Sequence, residues 1–379
     1  MLGALTRLPY KVLIKLLDDF PLRRDLINLA KRLGIHAFLL KTYLRLRNSS
    51  VQLLVLTNSQ AHLDELPLML LGGKVISKNE WKKKLENLRK GPLNTIEQIS
   101  TSASTQHYFN GLDSVSVISS LYRSDEYLDK WIRNLESQTI FAEIELIIVS
   151  VNPSRYESER LDIFADTYSN VKVIYEPNRI GIYEAWNIAV RNSHGSLITN
   201  ANVDDLRRFD SLEIQRSMFS IYPFIHITYQ DVLFSFVKDA AWHEIEIIDQ
   251  SSYLPHVTLT VLTSGLNPPH NAPMWRKNLH DELGFFDENY SSAGDYEFWF
   301  RCLFANKTFL KNRKKHVSYF YNPKGLSTKR GGAGLQESIQ ILKKYQKQIE
   351  DTGVRLHELN AEPFTLGVVH TLLTKGPAK

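Results

Sequence analysis

The sequence predicts an open α/β sheet, and three observations carry that prediction. Strand-like and helix-like segments alternate four times within roughly 100 residues after Asp113. Glu145-Leu-Ile-Ile-Val-Ser is a near-continuous apolar run, the kind buried on both faces of a parallel sheet. An acidic cluster, Asn202 to Asp205, follows directly on the last strand of this series, where open sheets bind their ligands.

Each element has its own signal. Val115-Ser-Val-Ile-Ser-Ser alternates into a first strand, and Ser124-Asp-Glu starts a helix whose Leu128, Trp131, Ile132 and Leu135 share one face. After the strand at 145–150 come a helix over 157–168, a strand over 171–175, a helix over 182–191 and a strand over 196–199. Beyond it, 226–237 and 242–248 read as antiparallel strands because Ile245 and Ile247 alternate with polar neighbours. Phe298 to Phe304 reads as a short aromatic helix. Upstream, Ser77-x-x-Glu80 has capping-box spacing and Gly91-Pro92 ends the following run, which predicts a helix over 78–90.

Composition narrows the function class. The chain of 379 residues is 43% apolar and 23% charged, which excludes wholly disordered and collagen-like proteins. Cys302 is the single cysteine, so no disulfide framework or cysteine-based zinc site is expected. The N-terminus lacks a signal-peptide cleavage pattern and no apolar run is long enough to span a bilayer, so a cytoplasmic protein is expected. Residues 1–50 hold ten Lys/Arg against three Asp, a net +7 within a chain of +5. Their leucines recur at helical spacing, so a peripheral contact with the cytoplasmic membrane face is expected of this head. Nucleic acid is excluded as a partner because the basic residues lie on apolar-striped helices without stacking aromatics. Neither a P-loop nor a Gly-x-Gly-x-x-Gly appears, against kinase and dehydrogenase readings.

The chemistry-bearing residues form two clusters. Asn202, Asp204 and Asp205 offer oxygen ligands for a hard divalent cation shared with substrate phosphates. Ser292-Ala-Gly-Asp295-Tyr-Glu297-Phe-Trp-Phe-Arg301 places a carboxylate ahead of an aromatic helix. His270, beside Pro268-Pro269, is a candidate acceptor contact.

In their order along the chain these motifs resemble the GT-A glycosyltransferases of the inverting family 2, over residues 113–325. The stretch Asn178-Arg179-Ile-Gly181 with Asn187, and the lead-in Pro273-Met-Trp275-Arg276, belong to the same resemblance. The fold it implies is a GT-A, Rossmann-like open mixed sheet, with a mainly helical N-terminal extension. It implies a nucleotide-sugar donor, in the first place a UDP-sugar, and a glycan or lipid-linked acceptor. Asp295 would be the catalytic base. Asn202, Asp204 and Asp205 would hold Mn²⁺ or Mg²⁺. Tyr122, Asn152, Arg179, Asn187, Asn202, Asp204, Lys329 and Arg330 would bind the nucleotide sugar, and Glu297, Trp275 and His270 would face the acceptor.

The sequence departs from the family pattern at Asn202 and Asn152, where the family has Asp, and at Gly294, where it often has Glu. These departures define the alternative, a catalytically weak GT-A module that binds glycan or membrane. The domain plan expected is an extension over 1–94, a linker over 95–112, the GT-A domain over 113–325 and a C-terminal loop and helical tail over 326–379.

Overall fold

The computed structural model describes residues 78–90, 113–252, 254–322 and 333–352, all within one compact unit spanning Asp64–Gly376. The amphipathic head at 1–50 and the linker at 95–112 lie outside the described residues.

The four predicted strands are β1 (Val115–Leu121), β2 (Glu145–Val151), β3 (Val171–Glu176) and β4 (Leu197–Asn200). They pair in parallel in the order β3-β2-β1-β4. Crossover helices α2 (Asp125–Glu136), α3 (Arg155–Thr167) and α4 (Ile182–Arg191) join them. The central strands are apolar on both sides because both faces are covered. Val117, Leu146 and Ile148 pack with Leu128, Trp131 and Leu135 of α2. Ile118, Ile147 and Val149 pack with Tyr183, Trp186 and Ala189 of α4. Each fully buried Ile or Val contributes about 1.5–3 kcal/mol relative to exposure, so this double cover dominates the stability of the sheet.

Past β4 the sheet turns mixed. After helix α5 (Ser211–Ile221) come β5 (Ile227–Gln230), β7 (Met274–Arg276) and β8 (Phe309–Asn312), which extend the sheet as β4-β7-β5-β8. β7 runs antiparallel to both β4 and β5. β6 (Leu233–Ser235) pairs in parallel with β9 (Ser318–Phe320) as a separate ribbon. Helix α9 (Gly294–Phe304) lies against the α4 side of the sheet, with Phe298, Trp299 and Phe300 in that core. The seven-stranded mixed sheet, with β7 inserted antiparallel beside β4, is the open mixed sheet that the resemblance implies.

The antiparallel strands expected over 226–237 and 242–248 do not pair: 226–237 divides into β5 and β6, which belong to different sheets, and β6 pairs in parallel. Residues 242–248 form helix α6 (Trp242–Ile248), not a strand. The backbone N–H of Ala241 donates to Glu244 Oε2 over 2.8 Å, fixing the first turn. Trp242, Ile245 and Ile248, three residues apart, all join one core cluster, while Ile247 is exposed. The period that mattered was three to four, not two.

The predicted helix α1 (Lys78–Lys90) is present and docks on this part of the protein. Trp81 and Leu85 are buried with Phe234, Phe236 and Tyr321. Arg89 grips Glu244 of α6 through two bonds of 2.6 and 2.9 Å.

Candidate active site

β2, β1 and β4 are neighbours running the same way, so their carboxyl ends meet at one edge of the sheet. Leu121 stands opposite Ser150, and Ile118 opposite Asn200. The loops that follow begin with Tyr122, Asn152 and Ala201, and ligands of open sheets bind at such an edge.

Tyr122 is partly exposed between two guanidinium groups, with Arg123 5.4 Å and Arg179 5.2 Å from its ring centroid. Arg179 reaches it from the loop between β3 and α4. Arg123 and Asn152 have φ of 51° and 47°, a left-handed backbone that non-glycine residues adopt chiefly where the surroundings impose it. Part of that constraint is Glu157, fully buried on α3. Its Oε2 accepts the Ser124 N–H at 2.9 Å and its Oε1 accepts the Ser150 hydroxyl at 2.6 Å, tying the two strand ends together. This face can offer anion-binding cations and an aromatic surface.

The acidic turn after β4 is internally bonded. Asn200 donates to Asn202 Oδ1 at 3.0 Å, and Asn202 donates to Asp205 Oδ2 at 3.0 Å. Asp205 Oδ1 accepts the backbone N–H of Phe320 at 2.8 Å. Beneath it, Arg207 is buried and donates to Thr199 Oγ1, the Asn200 carbonyl, Ser211 and Gln215. Burial lowers the Arg207 pKa to about 9 against the opposing attraction of Asp205. Burial raises Asp205 well above the usual carboxylate range, and the charge of Asp204 adds to this. Burial also raises Asp204. Among the described residues no side-chain donor bonds to Asp204.

The Asn202 carbonyl and Asp205 Oδ2 hold hydrogen bonds within the turn, and Asp205 Oδ1 holds one to Phe320 of β9. Among the described residues no group of three His, Cys, Asp or Glu side chains is placed to hold a metal ion. Asp204 is the uncommitted carboxylate of the turn.

Asp295 sits in the first turn of α9, half-buried, in the wall of a small cavity with Asn200, His270, Trp186, Trp275 and Phe286. Its Oδ1 accepts from Tyr183 Oη at 2.9 Å and its Oδ2 from Asn267 Nδ2 at 2.8 Å. Burial raises its pKa, while the two hydrogen bonds act the other way. A second small cavity is lined by Asn202, Asp205, Arg207, Asn134 and Trp131. Neither is walled by both Asp295 and the acidic turn. Asn200 lies in the wall of each, so the two regions adjoin across one side chain.

His270 shares the Asp295 cavity and is held neutral, its pKa lowered to about 4 by burial. Three further expected site residues are held by hydrogen bonds within the protein. Asn187 is buried and clasps Phe286 through its backbone N–H at 3.0 Å and carbonyl at 2.8 Å. Glu297, two residues from Asp295 on the helix and turned to another side, accepts from Arg301, Lys344 and Tyr345. Trp275 is 1% exposed and donates its indole N–H to His280 at 3.0 Å. Lys329 and Arg330 lie outside the described residues. The sequence reading missed Tyr183, Asn267, Arg207 and Glu157. Only the glycine at 294 hinted at Tyr183, whose ring occupies the space a side chain there would need.

A family model described as glycosyl transferase family 2 matches residues 116–263. The chain is 22% identical over 270 residues to an uncharacterized glycosyltransferase of Haemophilus influenzae, covering 61% of this chain and 80% of that protein. It is 26% identical over 99 residues to glycosyltransferase GlyG of Streptococcus pneumoniae, which is 26% of this chain and 33% of that one. Among solved structures, TarS 1-349 of S. aureus with UDP-GlcNAc aligns at a TM-score of 0.49 and 15% identity, over 69% of this chain and 73% of that chain.

Proposed function

We propose that this chain, whose residues 116–263 match the glycosyl transferase family 2 model, transfers a sugar from a nucleotide-sugar donor, in the first place a UDP-sugar, to a hydroxyl of a glycan or lipid-linked acceptor, with inversion. The observation that carries the reading is Asp295: a half-buried carboxylate of raised pKa, fixed on both oxygens, in a cavity that adjoins the carboxyl ends of the sheet.

In this reading the acceptor oxygen bonds to the anomeric carbon as the bond from that carbon to the diphosphate breaks. Asp295 takes the hydroxyl proton, and the nucleoside diphosphate leaves with the electron pair. The transition state is oxocarbenium-like. A carboxylate raised above its ordinary pKa is the stronger base, provided it stays ionised at working pH. Tyr122, Arg123 and Arg179 would receive the nucleotide and its phosphates at the edge of β1 and β2. Asn152, exposed and neutral, can bond a base edge.

The acidic turn would hold a Mn²⁺ or Mg²⁺ ion first through Asp204, with the phosphates and water completing the shell, since the Asn202 carbonyl and both Asp205 oxygens already accept hydrogen bonds. A cation held there would offset the charge of the departing diphosphate. The basic head at 1–50 is proposed to rest on an anionic membrane face, on the support of its net +7 and its apolar stripe. No helix among the described residues is long and apolar enough to cross a membrane.

The test is a thermal-shift screen of UDP-, GDP-, dTDP- and CMP-sugars with and without Mn²⁺, followed by turnover of the best binder. Asp295→Asn should retain binding and lose about 10²–10⁴-fold in turnover. Normal turnover by this variant would overturn the base assignment.

A further inference from the structure

We propose that Tyr183 is a positioning residue for Asp295, fixing the carboxylate in the orientation in which it receives the acceptor proton. The inference rests on the reading of Asp295 as the base and adds the group that aims it.

Tyr183 stands in the first turn of α4, and its ring is 3% exposed. Trp186 meets it edge-on at 5.6 Å and Phe286 at 5.8 Å. The third wall is the backbone of Gly294. A Cβ built on Gly294 would lie 2.7 Å from Tyr183 Cδ2 and 2.8 Å from Cε2, distances real Cβ atoms essentially never show. The ring therefore fits because residue 294, the neighbour of Asp295, has no side chain. With the ring immobilised, its hydroxyl is a fixed donor to Asp295 Oδ1.

Asn267, on the loop after helix α7 (Leu259–Thr263), supplies the matching donor to Oδ2. The carboxylate is thus held by one donor on each oxygen, each from a different element. Both bonds favour the ionised form, and each oxygen keeps a lone pair for the incoming hydroxyl. The titratable groups facing Asp295 in this cavity are Tyr183 and His270, and burial keeps both neutral near pH 7. The hydroxyl, not a neighbouring charge, is the lever.

Tyr183→Phe tests this, since it keeps the ring on Gly294 and removes only the donor. The turnover assay uses the nucleotide sugar selected in the screen above, Mn²⁺, and water as acceptor, with release of nucleoside diphosphate as readout. Expected are a fall in kcat of about tenfold or more, an unchanged donor KM and an acidic limb of the kcat profile displaced to higher pH. Asn267→Ala should act in the same direction and stands in should Tyr183→Phe fail to fold. A second readout needs no substrate: carboxyl NMR of the full chain labelled at aspartate, with the Asp295 signal assigned from Asp295→Asn. Its titration midpoint should rise in Tyr183→Phe. If Asp295→Asn is inactive while Tyr183→Phe leaves both midpoint and pH profile unmoved, the positioning role falls alone. If Asp295→Asn turns over normally, the base reading falls and takes the positioning role with it.

Discussion

Phe320 donates its backbone N–H to Asp205 Oδ1 over 2.8 Å, bonding strand β9 to the acidic turn 115 residues upstream. The two adjacent carboxylates of the turn therefore differ in kind. Asp205 is a structural acceptor, while Asp204 has no such tie. Asp205→Ala leaves a partly buried N–H without its partner and should cost about 1–3 kcal/mol, read as a lower Tm. Asp204→Ala should leave Tm unchanged or raised, because it removes a like charge from beside Asp205. In turnover the order reverses: Asp204→Ala should lose about 10²-fold or more if it faces the leaving diphosphate. Equal effects of the two variants on Tm would refute the distinction.

The fit of Tyr183 on Gly294 gives a second prediction. Gly294→Ala alone places a methyl in contact with the ring and should destabilise by about 1–3 kcal/mol. Tyr183→Ala alone should cost about 3–5 kcal/mol through the lost ring, as for other large buried aromatics. In the double variant the methyl has room, so the two losses should add to less than their sum. Denaturant unfolding of all four proteins measures the coupling, and strict additivity would show that the ring does not occupy that space.

Much of the α/β half could be read from sequence because its signals are local. The apolar run at β2 and the stripe of Leu128, Trp131, Ile132 and Leu135 each declare one burial pattern within a dozen residues. Helix α6 was misread because Ile245 and Ile247 alternate, while the residues that pack with Phe234 and Phe236 are Trp242, Ile245 and Ile248, at a spacing of three. The site divides the same way. Asp204, Asp205 and Asp295 stand out as residue types in context. That Asp205 is spent on Phe320, or Glu297 on Lys344 and Tyr345, depends on contacts between segments 47 to 115 residues apart, which no local pattern records. Tyr183 and Asn267 are ordinary residues made functional only by where α4 and the loop after α7 place them.

Helix α1 lies far from the acidic turn in sequence but reaches it through a short chain of contacts. Trp81 meets Phe236 edge-on at 5.8 Å, and Phe236 meets Tyr321, which follows Phe320. Trp81 is fully buried, so Trp81→Ala should cost about 3–5 kcal/mol. Hydrogen exchange should find the Phe320 amide less protected in this variant, with the β1–β2 amides unchanged. Undiminished protection at Phe320 would show that α1 is no part of the support of the turn.

Stability should fall on mild acidification, and His280 isolates part of the reason. Its ring stacks on Phe298 at 4.8 Å and accepts the Trp275 indole N–H on Nε2 at 3.0 Å, a bond only the unprotonated nitrogen can take. Burial lowers its pKa from 6.5 to about 4. Between those values the unfolded chain binds a proton that the folded one does not, so this group's contribution is fully present above about pH 6.5 and lost as pH falls toward 4. The amount at stake is on the order of 3 kcal/mol. His280→Leu forfeits the Trp275 bond at every pH and should be less stable near neutrality. Having nothing to titrate, it should show a shallower loss of Tm between pH 6.5 and 4 than the natural protein. His270 and His316, also buried and lowered, keep the remaining slope in both proteins. Parallel Tm curves for the two would mean that His280 titrates in the fold much as it does in water.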